Sequence, residues 1–303
     1  MPVSVAGSPS LVLTETLNPA LFALLVDATD LFGLNHIVNL GDQAGAGSDT
    51  EQISRISWAD PMAAVAEGAA VAETVPTSSD VTVAVARQAL RRDITDLMQI
   101  VGTLVNVETL AMDMRNAAIL RRTDMLCGLF STLSNQVGGG AGTDFRVDDF
   151  YDAMFQLTQS RVGGPIAAVL GANSITEFQS DLRTEGGPTQ FIASTQEMLS
   201  VKGPSFAGSF AGVDVYSSDS CESVAGTRRS AMFGVGCFGY KEASAQSVVA
   251  LDASVSSTIP GGSPIWVEIE RDSASGLTQI VGNYYLGVVE LEDARGVLIS
   301  TDA

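Results

Sequence analysis

Residues 94–133 read ITDLMQIVGTLVNVETLAMDMRNAAILRRTDMLCGLFSTL. Apolar residues recur at Ile94, Leu97, Met98, Val101, Leu104, Val105, Ala111, Ala118, Met125, Leu126, Leu129, Phe130 and Leu133, close to the helical period. The spacing predicts an amphipathic helix over 94–133. At about 1.5 Å per residue it would run on the order of 60 Å. A compact domain of this length has a radius of gyration of roughly 19 Å, so a diameter of about 50 Å. One helix would then cross the molecule and project beyond it, which favours a flat, elongated subunit that meets neighbours. Gly102 and Gly128 each cost roughly 1 kcal/mol in a helix interior, so a kink or break is expected there if anywhere.

Immediately upstream, Val81–Arg87 alternates with period two and is rich in β-branched residues, a strand signature. Ile53, Arg55, Ser57 and Trp58 begin an earlier strand-like stretch that Pro61 stops. The excursion between the two is poor in apolar residues. Together they predict an extended hairpin with too little hydrophobic material for a core of its own. Such a loop is stable only when draped on something else. Further upstream, Asn18-Pro19 is a helix start followed by an apolar face through Phe32, with Gly33 closing it. The residues before it read as an extended arm.

Downstream, the run Gly138-Gly139-Gly140 ends the long pattern. Phe150, Tyr151, Met154 and Leu157 form a short helix face, and Ile166–Leu170 reads as a buried strand. Asn173 is placed to cap a helix through Leu182, and Phe191–Leu199 is apolar-periodic. Val213–Tyr216, Ala231–Phe238, Ile265–Ile269 and Tyr284–Val289 are strand-like, joined by Gly- and Ser-rich turns. The class is α+β, with helices first and strands concentrated later.

Composition narrows the function. Of 303 residues, 46% are hydrophobic and 17% charged, against a usual charged share of about 25%. Much of the surface must therefore be neutral, which suits a subunit enclosed by copies of itself. The net charge of −19 repels nucleic-acid phosphates at long range, so tight or sequence-specific DNA binding is not expected. Cys127, Cys221 and Cys237 are widely spaced and have no metal-ligand pattern, so buried reduced thiols and cytoplasmic synthesis are expected. No basic residue precedes Arg55, so residues 1–40 do not read as a secretory signal. Asp27 and Asp30 interrupt the apolar run 19–34, which is too short to span a bilayer.

A search for chemistry yields little. His36 is the only histidine, so neither a Ser-His-Asp site nor a multi-histidine metal centre can be assembled within the chain. Gly234, Gly236 and Gly239 match the spacing of the dinucleotide fingerprint. That fingerprint works only between a strand and a helix, where pyrophosphate meets the helix N-terminus. Here it falls in a strand-like run, so close-packed glycines are the ordinary reading. Asp148, Asp149 and Asp152 suit a helix start, and Glu290, Glu292 and Asp293 a late turn. No catalytic residue, metal ligand or cofactor site is expected.

The order of elements resembles the major capsid protein family of tailed bacteriophages, the Hong Kong ninety-seven fold. The likeness runs from about Thr16 onward. It is closest from Ala66-Glu67-Gly68 through Val81-Thr82-Val83 to Asp93-Ile94-Thr95-Asp96, which is similar to the family's extended loop running into its spine helix. Two further likenesses are Ala211–Ser217 followed by Ser230–Gly234, and Tyr284–Val289 followed by Arg295–Ile299.

The resemblance implies an N-terminal arm and short helix over 1–40, an extended loop over 41–85, and a spine helix and peripheral domain over 86–145. It implies an axial domain over 146–250, with 251–303 returning as strands of both domains. It further implies a non-enzymatic shell protein of the virion capsid, made in the host cytoplasm, that assembles as pentamers and hexamers around double-stranded DNA. Its partners would be copies of itself, a separate scaffold protein, a portal and a cement protein, with non-specific contact to packaged DNA and none to a membrane. Trp58, Val71, Val81, Val83 and Val85 would lie at subunit interfaces and be sheltered only on assembly. Some relatives join subunits through a lysine in the extended loop; this chain has only Lys202 and Lys241, so no such bond is expected. An encapsulin-like compartment or a gene-transfer particle would share the fold. The rival from another class is a nucleotide-binding enzyme using Gly234, Gly236 and Gly239.

Overall fold

A computed structural model describes residues 36–57, 64–65, 67, 70–71, 77–96, 107–184, 191–244 and 264–302. The arm and first helix expected before Gly33 lie outside these residues, as do Trp58 and Gly102. Among the described residues no helix is long and apolar enough to cross a membrane.

The chain enters through β1 (Val38–Asp42) and then forms a hairpin of β2 (Thr50–Ser57) and β3 (Thr77–Ala84). The two pair antiparallel from Thr50↔Ala84 to Ser57↔Thr77. After the single residue Val85 the chain continues as β4 (Ala86–Thr95), so the strand expected to end near Arg87 runs eight residues further. Ile94 and Thr95 therefore belong to a strand, correcting the helix expected from residue 94. The cause is long-range pairing: β4 lies antiparallel to β14 (Leu277–Glu290), Thr95 opposite Leu277 and Ile94 opposite Thr278. Ile94 is buried in that sheet, so its apolar side chain serves a strand face rather than a helical one.

Helix α1 (Val107–Gly128) follows, and at Gly128 it tightens into a 3-10 turn over Leu129–Thr132. Met114, Ala118, Arg122 and Leu126 recur every four residues and are all buried. Gly282 of β14 makes room for this stripe, since a Cβ there would stand 3.3 Å from Met114 Sδ. The buried Arg122 guanidinium lies over the Tyr240 ring and 4.0 Å from Glu242. Glu242 also accepts a 2.5 Å hydrogen bond from the Tyr284 hydroxyl, so a polar chain ties α1 to the sheet.

The rest of the chain gives β5 (Gln136–Val137), α2 (Val147–Gln159), β6 (Ile166–Leu170), α3 (Ala172–Thr184), β7 (Phe191–Ala193) and α4 (Gln196–Lys202). Then come β8 (Phe206–Phe210), β9 (Val213–Ser217), β10 (Ser223–Val224), β11 (Thr227–Gly234), β12 (Phe238–Glu242), β13 (Ile265–Asp272), β14 and β15 (Gly296–Asp302). Phe191–Leu199, read as one periodic stretch, is a short strand followed by a helix that Thr195 caps through the amide of Met198. Strands β1–β4 precede α1, and eight strands, β8–β15, follow α4, so strands are concentrated late in the described chain, as expected.

Two sheets organise these elements. In the first, β14 is central. β4 occupies one edge, and β13 then β12 occupy the other in succession, with β1 parallel to β12. The second runs β5-β15-β11-β6-β9-β8-β7, with β10 on β11. Its side chains divide by period two between two cores. Ala167, Val169, Ala231, Phe233 and Leu298 face the core shared with α1 and the first sheet. Ala168, Leu170, Met232, Val297 and Ile299 face the core under α2 and α3. There Phe145, Phe150, Phe178 and Phe210 form a ring cluster with centroids 5.1–5.6 Å apart.

Candidate assembly surface

Among the described residues β2 and β3 form a two-stranded sheet of their own, and its seat on the body is built from few residues. At the root, the Val85 amide donates to the Asp49 carbonyl at 2.8 Å, closing the hairpin where β3 becomes β4. Gly287 of β14 lies directly beneath. A Cβ there would come within 2.3 Å of the Ala84 carbonyl oxygen and 3.2 Å of Val83 Cγ2. Only a bare backbone lets the two strands approach so closely. Val83 is thereby buried to 1% exposure within the single chain, which corrects the expectation that it is sheltered only on assembly.

Two charged contacts fix the hairpin's direction. The ammonium of Lys241 on β12 is buried and pairs with Glu51 on β2. Further out, the Arg55 guanidinium donates to the Leu291 carbonyl and pairs with Glu292 at 2.6 Å. Glu292 is held in turn by Arg295, which also donates to the Val235 carbonyl at 3.0 Å. Across the hairpin, Ser54 donates to Asp80 at 2.6 Å. Between β2 and β3, the described Val65 and Val71 are exposed, Val71 to 78%. Val81 and Val85 are half-buried. A cavity of about 320 Å³ opens beside the root, lined by Gln43, Gly45, Asp49, Val85, Trp266 and Tyr285. The last two rings stack with centroids 5.1 Å apart.

Of the five residues singled out in the sequence, Val81, Val83 and Val85 are gathered at the root, Val71 stands in the exposed far half, and Trp58 lies outside the described residues. The residues that orient the hairpin, Glu51, Arg55, Lys241 and Glu292, were not singled out for it. One signal was present: Lys241 is one of only two lysines, and both are ion-paired, Lys202 with Asp214 at 2.6 Å.

The remaining candidates take structural roles. Gly234 ends β11, Gly236 sits in a turn at φ +87°, and Gly239 lies in β12. Strand–turn–strand lacks the helix start that a pyrophosphate needs. Asp149 accepts from the Arg146 amide at 3.0 Å, capping α2. Asp293 accepts from the Ser134 amide, Glu290 from Thr132, and Glu292 serves the two arginines. Among the described residues no group of three His, Cys, Asp or Glu is placed to hold a metal ion. His36 is buried against the Tyr216 ring edge, and neither ring nitrogen has a hydrogen-bond partner among the described residues. Burial, with Lys202 adding to it and Asp214 opposing, holds its pKa below the ordinary value.

Exposed apolar side chains also occur away from the hairpin. Tyr151 and Phe155 lie one helical turn apart on α2, Ile192 on β7, Val201 on α4, and Met112 and Leu120 on α1. Large apolar groups left in water on several elements suit a subunit with more than one neighbour.

No family model and no curated protein sequence matches this chain. Solved structures do. The capsid of Ralstonia phage GP4 superposes with a TM-score of 0.64 at 9% identity, over 92% of this chain and 90% of that one. The holo-SrpI encapsulin complex from Synechococcus elongatus PCC 7942 gives 0.58 at 13% identity, over 84% and 83%. The capsid of a native GTA particle gives 0.56 at 13%, over 88% and 89%. At such identities the likeness is one of architecture, and it spans nearly the whole chain: this protein has the fold of the tailed-bacteriophage major capsid proteins, the Hong Kong ninety-seven fold.

Proposed function

We propose that the protein is a structural shell subunit, a major capsid protein that assembles as pentamers and hexamers into an icosahedral head around double-stranded DNA. The observation that carries this reading is the hairpin, clamped at its root, with Val65 and Val71 exposed between its strands. A strand pair with no core of its own, and with exposed Val65 and Val71 between its strands, gains shelter by lying across an adjoining copy. Val71, Trp58 and the outer faces of Val81 and Val85 would be covered there. The function is mechanical, without a catalytic step. The virion capsid is the site of action, after synthesis in the host cytoplasm. A scaffold protein, a portal and a cement protein are the expected additional partners.

The division into parts follows the same proposal. Residues 1–40 form the arm and 41–85 the extended loop. Residues 86–145 form the spine helix and peripheral domain, 146–250 the axial domain, and 251–303 the strands returning to both. The acidic surface suits a wall that does not adhere to packaged DNA.

A second shell reading, an encapsulin-like compartment or gene-transfer particle, is favoured by the matches to structures of both kinds. Cargo separates them. Particles recovered from the native source are examined by electron microscopy, and their contents treated with nuclease before and after disruption. Phage-length DNA protected until disruption supports the head, shorter heterogeneous DNA the transfer particle, and an enclosed enzyme without DNA the compartment. A chain that stays monomeric, with or without co-expressed scaffold, and binds a dinucleotide overturns all three in favour of the glycine-loop enzyme.

A further inference from the structure

The loop that joins β1 to β2 forms part of the wall of the cavity beside the hairpin root. The Gln43 amide donates to the Glu242 carbonyl at 2.8 Å, which carries the β1–β12 pairing into the loop. The Asp42 carboxylate accepts from the amides of Ala44 and Ser244, each at 2.8 Å. Gly45 and Gly47 stand at φ +81° and +73°, so the chain turns back there. The Gln43 side-chain nitrogen, Nε2, then donates to the Ser48 carbonyl at 2.8 Å and closes the loop. That bond fixes the amide: the nitrogen is spoken for and the oxygen is left over. Gln43 is 6% exposed, and its Oε1 has no hydrogen-bond partner among the described residues. A buried acceptor without a donor is unfavourable, and this one belongs to a residue lining a cavity of about 320 Å³.

Another part of the lining is aromatic. Trp266 and Tyr285 stack with ring planes 3° apart, and the indole N–H is already engaged, donating to Glu268 at 3.2 Å. Asp49 supplies the one formal charge among the lining residues, and its carboxylate has no hydrogen bond or ion pair among the described residues. Cations on adjacent strands are committed: Lys241 pairs with Glu51, and Arg87 donates to Asn283 at 2.8 Å. The cavity thus combines an acceptor lacking a donor, a carboxylate lacking a cation and a pair of stacked rings.

These demands select the guest. Asp42 and Asp49 repel a phosphate-bearing ligand. A divalent cation finds no ligand set, since among the described residues no group of three His, Cys, Asp or Glu is placed to hold one. Water or another neutral guest leaves the carboxylate unpaired, and a quaternary ammonium has no N–H for Gln43. A guanidinium answers all three, being flat, permanently charged and rich in donors. We propose that this cavity is a binding site for a guanidinium group, which donates to Gln43 Oε1, pairs with Asp49 and rests on the Trp266–Tyr285 stack. The volume is at the lower end of the about 300–1,000 Å³ usual for small-molecule sites, so the guest is short. A free alkylguanidinium carries this group, and so does an arginine side chain of an adjoining copy. The inference does not depend on the shell reading, because the cavity is formed within one chain.

The test is calorimetric titration of the full chain with butylguanidinium chloride at low salt, where a single saturable site per chain is expected. Butylurea keeps the shape and the donors without the charge, and should bind about tenfold more weakly. Asp49→Asn should weaken butylguanidinium by a similar factor, about tenfold. Asp152→Asn, which removes one exposed charge from α2, should leave the affinity unchanged. Tyr285→Phe should keep the affinity and Tyr285→Leu should lose most of it. Circular dichroism checks that each variant is folded. Repeating the titration on assembled particles separates the two sources. Undiminished binding identifies a free molecule as the guest; lost binding, with an arginine seen in the cavity by electron microscopy, identifies an adjoining copy. Absence of saturable binding at millimolar butylguanidinium overturns the proposal. So does equal affinity for butylurea or adenosine, equal weakening by Asp49→Asn and Asp152→Asn, or a cavity filled in particles by a group other than a guanidinium.

Discussion

The hairpin of β2 and β3 and the second sheet solve the same problem in opposite ways. Inner strands β15, β11, β6 and β9 of the sheet have partners on both edges, and the sheet has cores on both faces, so Ala168, Leu170 and Met232 are sealed within one chain. The hairpin has one partner strand, two ionic anchors and a few buried atoms, Val83 foremost. Stability in the sheet is intrinsic, whereas at the hairpin root it is borrowed from the body. On the proposed reading, adjoining copies would complete what the single chain leaves open.

That contrast can be broken first in the ring cluster. Phe178 is fully buried among Phe145, Phe150 and Phe210. Phe178→Ala should cost the isolated chain about 3–5 kcal/mol, read from the shift in urea unfolding midpoint. A loss below about 1 kcal/mol would mean the sheet is not the stabilising half.

Gly287→Ala probes the boundary between the two regions. The added methyl would meet the Ala84 carbonyl at 2.3 Å, a backbone atom that cannot step aside. The expected cost is about 1–3 kcal/mol, with faster hydrogen exchange over residues 77–84 than in the wild type. Unchanged exchange there would show that the hairpin root is not seated on β14.

His36 allows a finer comparison because it is the only histidine. Burial holds its folded pKa below the ordinary 6.5. As pH falls, the unfolded chain therefore takes up the proton first. The contribution is complete above pH 6.5 and declines below it, until the folded imidazole is protonated too. The slope is at most about 1.4 kcal/mol per pH unit for one proton. The difference in stability between wild type and His36→Gln, followed from pH 8 to pH 5, should show this decline; a flat difference would contradict the buried, neutral imidazole.

The smallest effect on the isolated chain belongs to Val71. Exposed to 78%, it should tolerate Val71→Ser within about 0.5 kcal/mol. The yield of closed particles should nevertheless fall. Normal assembly by this variant would remove Val71 from the proposed interface.

Legibility followed the range of the interactions. Local patterns spoke clearly: the alternation in Val81–Ala84, the buried run Ile166–Leu170 and the helix face of Phe150 and Leu157 all emerged as read. The start of the spine did not. Ile94 fits both a helical and a strand period, and pairing with β14 decides between them. The hairpin's anchors were equally hidden, because Lys241 meets Glu51 across 190 positions and Arg55 meets Leu291 across 236. No window of sequence contains both members of either pair. Val83 was misjudged for a related reason: its cover comes from a distant glycine, whose lack of a side chain leaves no hydrophobic signal.

One connection has a mechanical consequence. Strands β3 and β4 are separated by Val85 alone, so a nearly unbroken ribbon runs from the hairpin's outer end to the far side of the first sheet. Extended backbone at about 3.3 Å per residue has little slack. A pull on the outer hairpin therefore loads the ten ladder pairs with β14 in shear rather than peeling them one at a time. Strain passed between adjoining subunits would be spread along this seam, a geometry suited to resisting pressure from within.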